Sequence, residues 1–68
     1  MNEPTFDIFS GGPDSDPLWL ESAIGLLNAR ERMEMIAAKK PGQYFIFSVL
    51  AQTVVAQIEV LKKCSANS

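Results

Sequence analysis

The sequence lacks the side chains that most often build chemical sites. Its 68 residues include no histidine and one cysteine, Cys64. One cysteine cannot close a disulfide within the chain, and without histidine it cannot complete a zinc site. A nucleophilic serine would have no histidine to activate it. We therefore expect no catalytic residue, no cofactor and no metal, and we interpret the protein as non-enzymatic.

A surplus of positive charge is also missing. Six Lys and Arg residues stand against eight Asp and Glu residues, a net charge of −2. Non-specific nucleic-acid binding and anionic membranes both require a basic surface, so we expect neither partner. The apolar stretch 44–61 contains Glu59 and several polar residues, which is unfavourable for a membrane span. The acidic N-terminus differs from a signal peptide, and the unpaired cysteine favours a cytoplasmic location.

The length of the chain allows one domain, residues 1–68, with an ordered core of about residues 6–61 and tails at 1–5 and 62–68. A domain of this size buries only about 60% of the surface of its unfolded chain. Small domains usually gain stability from disulfides, a metal or oligomerisation. Because the composition excludes the first two, the sequence predicts a homo-oligomer, most simply a dimer.

The first half of the chain predicts two strands and a helix. Residues 6–9 and 18–21 are rich in strand-forming side chains, and residues 10–17 carry a dense Gly and Pro turn signal. After a predicted turn at 22–25, apolar residues fall on one face of a helix over 26–39: Leu26, Ala29, Met33, Ile36 and Ala37. Pro41 and Gly42 end this helix.

The second half predicts a strand at 43–49 and leaves the next segment open. Residues 53–60 alternate in polarity like a strand, and their β-branched side chains favour that structure. The alternative is a helix over 48–63 with Ser48 as its N-cap, because residues 50–52 lack a favourable hairpin residue. The preferred fold is a small α+β domain of order β-β-α-β-β. It has two layers, an antiparallel sheet of spatial order 2-1-3-4 and one helix on one face.

Several segments together resemble a group of short, uncharacterised bacterial proteins. The likeness rests on a W-x-E segment at Trp19 and Glu21, an A-x-x-R-M segment at residues 29–33, and a PG-x-YF-x-F segment at residues 41–47, followed by a second apolar strand. It covers roughly residues 6–60, and the turn at 50–52 departs from it. The resemblance implies the same small α+β fold and carries no activity or functional residue.

The carboxylates Asp14, Asp16 and Glu21 have a simpler structural interpretation than a site. Asp14 and Asp16 lie between two prolines and are typical of a turn rather than of a calcium loop. Glu21 beside Trp19 is the best candidate for acid–base chemistry, yet a solvated or salt-bridged strand residue is the preferred interpretation.

The aromatic residues motivate the functional hypothesis, because one helix cannot cover all of them. If Phe45 and Phe47 face the helix, Tyr44 and Ile46 face away from it. We therefore predict a protein-interaction module that self-associates through the open sheet face, with an interface formed by Trp19, Tyr44, Ile46 and Val55. A regulatory or inhibitory subunit that binds a different protein is the alternative, and a small enzyme or ligand carrier is the third hypothesis.

Overall fold

The structure, a computed structural model, describes residues 3–61 as one sheet of four strands with one helix packed on it. Its elements follow the order β-β-α-β-β, which confirms the predicted α+β fold. Within these residues no helix is long and apolar enough to cross a membrane. The bounds are β1 Thr5–Ser10, β2 Leu18–Ile24, α1 Leu26–Lys39, β3 Gln43–Ser48 and β4 Thr53–Glu59.

The strands lie in the order β2-β1-β3-β4, and every neighbouring pair is antiparallel. This is the predicted order, and it leaves β2 and β4 as the two edges. The pairing of β1 with β3 is regular, whereas each edge strand carries one irregularity in its register. At these points Leu20 and Val55 have no partner opposite them, as in a β-bulge. The central pair is therefore the regular part of the sheet.

The helix has the predicted bounds, but the connection before it is shorter than predicted. Strand β2 continues to Ile24, so that Gly25 alone separates it from the helix. Gly25 has a φ of 88°, a conformation that suits glycine, and its N–H donates to the carbonyl of Pro4 over 2.9 Å. The predicted turn at 22–25 and the predicted N-terminal tail at 1–5 were therefore too long, because Thr5 already pairs with Ile24.

Residues 53–59 form a strand, so the helical alternative for 48–63 is wrong over the part that the structure describes. The helix-start signal at Ser48 nevertheless has a physical basis. Its hydroxyl accepts a hydrogen bond from the Ala51 N–H at 3.0 Å, and its carbonyl accepts one from the Gln52 N–H at 2.6 Å. One helical turn therefore forms, and Gln52, with a φ of 57°, then reverses the chain into β4.

The hydrophobic core lies between the helix and one face of the sheet. Its buried residues are Phe6, Ile8, Ala29, Met33, Ala37, Tyr44 and Ile46. The two alanines of the helix allow a close approach to the sheet, and Met33 fills the space between them. The hydroxyl of Tyr44 donates a hydrogen bond to the carbonyl of Lys40, just beyond the helix. This bond satisfies the one polar atom that the Tyr44 side chain brings into the core.

The faces of β3 are reversed relative to the prediction. Tyr44 and Ile46 were predicted to face away from the helix, and this placement is wrong because both lie in the core beneath it. Phe45 and Phe47 occupy the opposite face instead. Successive side chains of a strand point to opposite faces of the sheet. If one residue is assigned to the wrong face, every other residue of the strand is assigned wrongly too. The core selects the face that matches Phe6 and Ile8 of the neighbouring strand.

Candidate interaction site: an aromatic groove on the open face

The sheet face away from the helix carries two rows of side chains that cross the strands. The first row consists of Trp19, Phe9, Phe45 and Gln57, and the second of Ser22, Asp7, Phe47 and Val54. Residues that pair across antiparallel strands share a face, so each row lies on one surface. Apart from Asp7, whose carboxylate accepts a 2.7 Å hydrogen bond from the Ser22 hydroxyl, the two rows carry no charge.

Three phenylalanines form the centre of this face. The rings of Phe9 and Phe45 stack with centroids 4.9 Å apart and an interplanar angle of 9°. Phe47 meets Phe9 edge to face, with centroids 6.5 Å apart and an angle of 85°. Both arrangements are favourable for aromatic quadrupoles. The cluster therefore holds defined ring positions on a surface that the helix does not cover.

The loop between β1 and β2, residues 11–17, builds a wall beside the cluster. Pro13 and Pro17 line a cavity of about 270 Å³ together with Phe9, Phe45, Phe47 and Val54. We call this cavity the aromatic groove. Phe45 is only 3% exposed although it lies outside the main core. The predicted open face is thus partly covered, and a groove replaces the flat surface expected from the sequence.

The four residues predicted for the interface are not brought together. Trp19 lies on the open face at the edge strand β2 and is 54% exposed. Val55 is exposed at the bulge of β4, outside the aromatic groove. Tyr44 and Ile46 are core residues, as described above. That any of these residues contacts a partner stays a prediction.

The sequence interpretation missed the groove residues Phe9, Phe45, Phe47 and Val54 as a surface group. A signal for them was present in β1. Phe6 and Ile8 alternate with Phe9 on opposite faces, so one aromatic residue of β1 had to lie away from the helix. The matching face of β3 then follows only from the register between the two strands, which the sequence does not specify.

Glu21 joins the sheet to the helix through an ion pair. Its two carboxylate oxygens accept hydrogen bonds from the Arg32 guanidinium at 2.7 and 3.1 Å. These hydrogen bonds lower the pKa of the Glu21 carboxyl below its ordinary value; partial burial opposes them and the attraction of the Arg32 charge adds to them. A general acid would need a raised pKa. The preferred interpretation of Glu21 as a salt-bridged residue is confirmed.

The glycine and aspartate loop has no arrangement suited to an ion. Asp16 takes a φ of 52°, and the Ser15 N–H donates to the carbonyl of Gly12 over 3.1 Å, as expected of a turn. The Gly11 N–H already donates to the carbonyl of Gln43 at 2.7 Å. Within residues 3–61 no group of three or more potential metal ligands comes together. Cys64 lies outside the described residues.

A second cavity, of about 280 Å³, opens beside the same loop. Its lining includes the ionisable residues Tyr44 and Glu59 together with Gln43, Gln57 and backbone of the loop. The Tyr44 hydroxyl already donates a hydrogen bond to the carbonyl of Lys40. Glu59 is therefore the one carboxylate among the residues that line this cavity.

Comparisons with protein-family models, with curated proteins and with solved structures gave no match. The fold and the aromatic groove are therefore the observations from which a function can be argued.

Proposed function

We propose that this protein is an interaction module that forms a homodimer through the open face of its sheet. The observation that supports the proposal is the uncharged cluster of Phe9, Phe45 and Phe47, which lies on the face away from the helix. A contiguous apolar patch on a monomer typically marks a binding surface. Compared with the interface expected from the sequence, the proposed interface keeps Trp19, contains the three phenylalanines in place of Tyr44 and Ile46, and leaves out Val55, which does not line the aromatic groove.

The domain has two layers, one helix and one sheet, and this architecture favours a second copy as the partner. The helix packs over β2, β1 and β3, and within residues 3–61 the opposite face is covered by the 11–17 loop alone. A chain of this length buries too little surface to be more than marginally stable alone. Packing a second sheet about 10 Å away would bury the open face without any further element from the chain.

One charge, Asp7, lies on the face at which two copies would meet. Glu21 and Arg32 pair with each other on the helix side of the sheet. On the open face the Asp7 carboxylate accepts a hydrogen bond from Ser22, and Asp7 lies beside Phe47 in its row and two residues before Phe9. A dimer would bring two such carboxylates to the interface, so the burial of the aromatic side chains has to exceed this like-charge repulsion.

Sedimentation equilibrium between about 1 and 200 µM protein tests the proposal, because a dimer of modest area dissociates in or below this range. We expect a reversible monomer–dimer equilibrium for the unaltered chain. Phe47→Gln should weaken it roughly tenfold or more, as expected for removal of a central aromatic anchor. A chain that stays monomeric at 200 µM while circular dichroism reports a folded domain would contradict the proposal.

Leu27→Gln is the matched control. Leu27 is 76% exposed on the helix, on the other side of the molecule from the aromatic groove. The same new side chain there removes exposed apolar surface without touching the proposed interface. We expect its dimer dissociation constant to equal that of the unaltered chain. Equal weakening by both substitutions would indicate non-specific apolar association instead.

A regulatory or inhibitory subunit that binds a different protein is the second candidate, and edge strand β4 favours it. Its sequence TVVAQIE contains no lysine or proline, so the bulge at Val55 is the feature of this strand that would hinder pairing at the edge. An extended segment of another protein could add to this edge by β-augmentation. A stable monomer in the sedimentation experiment would favour this candidate over the dimer.

A further inference from the structure

We propose that the dimer is held by Trp19 of each copy inserting into the aromatic groove of the other copy. This inference rests on the proposed function and specifies its contact. The open face carries both a projecting side chain, Trp19, and a groove formed by Phe9, Phe45, Phe47, Val54 and the two loop prolines. We call the Trp19 side chain the knob and the aromatic groove the hole. A surface that carries both can bind a second copy of itself.

Trp19 has the properties of the knob. It is the only tryptophan of the chain, and more than half of its surface is exposed on edge strand β2. Tryptophan offers the largest apolar area of any side chain and a ring N–H that tolerates a partly polar boundary. Its partner in the register is Phe9, so the ring stands on the open face next to the groove and not on the helix side.

The groove has room for this side chain. Its volume is about 270 Å³, and its lining residues are aromatic, proline or valine. A cavity of about 150 Å³ is sufficient to hold benzene, so an indole ring can be accommodated in the larger space. Indole placed between proline and phenylalanine side chains gains the stacking and edge contacts that aromatic rings favour.

The positions of knob and hole fit a twofold axis. Trp19 and Phe45 flank Phe9 in the same row across the sheet. At a strand spacing of about 4.8 Å, knob and groove are roughly 10 Å apart. A twofold axis that lies in the interface and runs along β1 exchanges the two positions. It also keeps the strands of both sheets nearly aligned, which is the common packing of two sheets.

The same symmetry explains why association would stop at two copies. In an isologous contact, each copy contributes the same surface, and both knobs and both grooves are used. No groove is left for a third copy. Phe9 would lie close to the axis and meet its own counterpart, which extends the aromatic cluster across the interface. Asp7, two residues earlier on the same face of β1, would also meet its counterpart, and this like-charge pair opposes the contact.

Two substitutions that each destroy one half of the contact test this arrangement. Trp19→Ala removes the knob, and Val54→Trp fills the groove from its own strand. Each variant alone should dissociate roughly tenfold or more readily than the unaltered chain, because its homodimer loses both contacts. A mixture of the two restores one contact, between the intact Trp19 of the Val54→Trp chain and the intact groove of the Trp19→Ala chain. Native mass spectrometry should therefore detect well over half of the dimers as heterodimers.

Val55→Trp is the control, since it adds the same ring at an exposed neighbouring position that does not line the groove. We expect this variant to dimerise like the unaltered chain and to form no preferred heterodimer with Trp19→Ala. A heterodimer fraction near the statistical half for Val54→Trp would overturn the inference and leave the proposed dimer intact. A monomeric unaltered chain would overturn both.

The single tryptophan provides a second measurement that needs no substitution. In the dimer Trp19 moves into an apolar groove, so its fluorescence emission should shift to shorter wavelength and become protected from iodide quenching. Dilution through the dissociation constant should reverse both changes. A dimer in which Trp19 remains fully quenchable would overturn the inference even if Val54→Trp failed to fold.

Discussion

The two faces of strand β3 differ in what covers them, although both are apolar. Tyr44 and Ile46 lie under a helix of fourteen residues, whereas Phe45 and Phe47 lie under a short loop. The two sets are nevertheless similar in size and partly in burial, since Tyr44 is 4% exposed and Phe45 is 3% exposed. Fit to the opposing surface, here a helix with two alanines, and not hydrophobic size therefore decides which set lies under the helix.

The largest effect that distinguishes the faces is expected for Ile46→Ala. Ile46 is 0% exposed and lies in the core beneath the helix, so truncating its side chain leaves a cavity there. We expect a loss of about 2–5 kcal/mol in the free energy of unfolding, which a domain of this size can barely sustain. Urea titration followed by circular dichroism measures this loss. A loss below about 1 kcal/mol would mean that the helix side is not the main core.

The same substitution on the other face, Phe47→Ala, should behave differently. Phe47 is only half-buried and contacts Phe9 edge to face. We expect a loss of about 1–2 kcal/mol at low protein concentration, because the ring is already partly hydrated. The loss should increase with protein concentration, since a dimer stabilises only the chain that can form it. Thermal unfolding at two concentrations measures this difference, and for Ile46→Ala it should be much smaller.

Tyr44→Phe isolates one hydrogen bond on the helix side. The substitution keeps the ring and removes the hydroxyl that donates to the Lys40 carbonyl. A loss of about 1 kcal/mol is expected, which corresponds to roughly 4–8 °C in the unfolding temperature of a domain of this length. Differential scanning calorimetry provides the measurement. No change in unfolding temperature would imply that the carbonyl finds water as an equivalent partner.

The smallest effect concerns the Glu21–Arg32 pair, which joins β2 to the helix side of the domain. Because the pKa of Glu21 is lowered in the folded chain, the pair contributes stability above the ordinary glutamate pKa of 4.5 and loses it as the pH falls through the folded pKa. Both side chains are partly exposed, so screening by solvent keeps the contribution small. Glu21→Gln should lower the unfolding temperature slightly at pH 7. The difference from the unaltered chain should shrink as the pH falls through the folded pKa of Glu21, and a difference that stays constant from pH 7 into the acid range would argue against the pair.

Local patterns in the sequence were sufficient for the elements of the fold. The helix Leu26–Lys39 has its predicted bounds because its apolar face, Pro41 and Gly42 are all local signals. Strand β4 was the harder case. The β-branched residues favoured a strand while Ser48 favoured a helix start, and the structure contains the strand together with one helical turn at Ser48.

The candidate site could be predicted only in part. Trp19 was expected on the open face and lies there, whereas the three phenylalanines of the groove were assigned to the helix side or left unassigned. The sequence of a strand shows which side chains share a face. The sequence of β3 does not show which of its two faces contacts the helix. The proline wall of the groove could not be foreseen either, because it depends on the path of the loop over the sheet.

The sequence by itself determined the class of fold and the order of its elements, since these depend on composition and on short-range periodicity. Only the tertiary structure decided which face of β3 is the core. The register that aligns Ile8 with Ile46 fixes that choice, and the Tyr44 hydroxyl meets the Lys40 carbonyl only once the helix is docked. Long-range pairing therefore turned two equally apolar faces into a buried core and an aromatic groove.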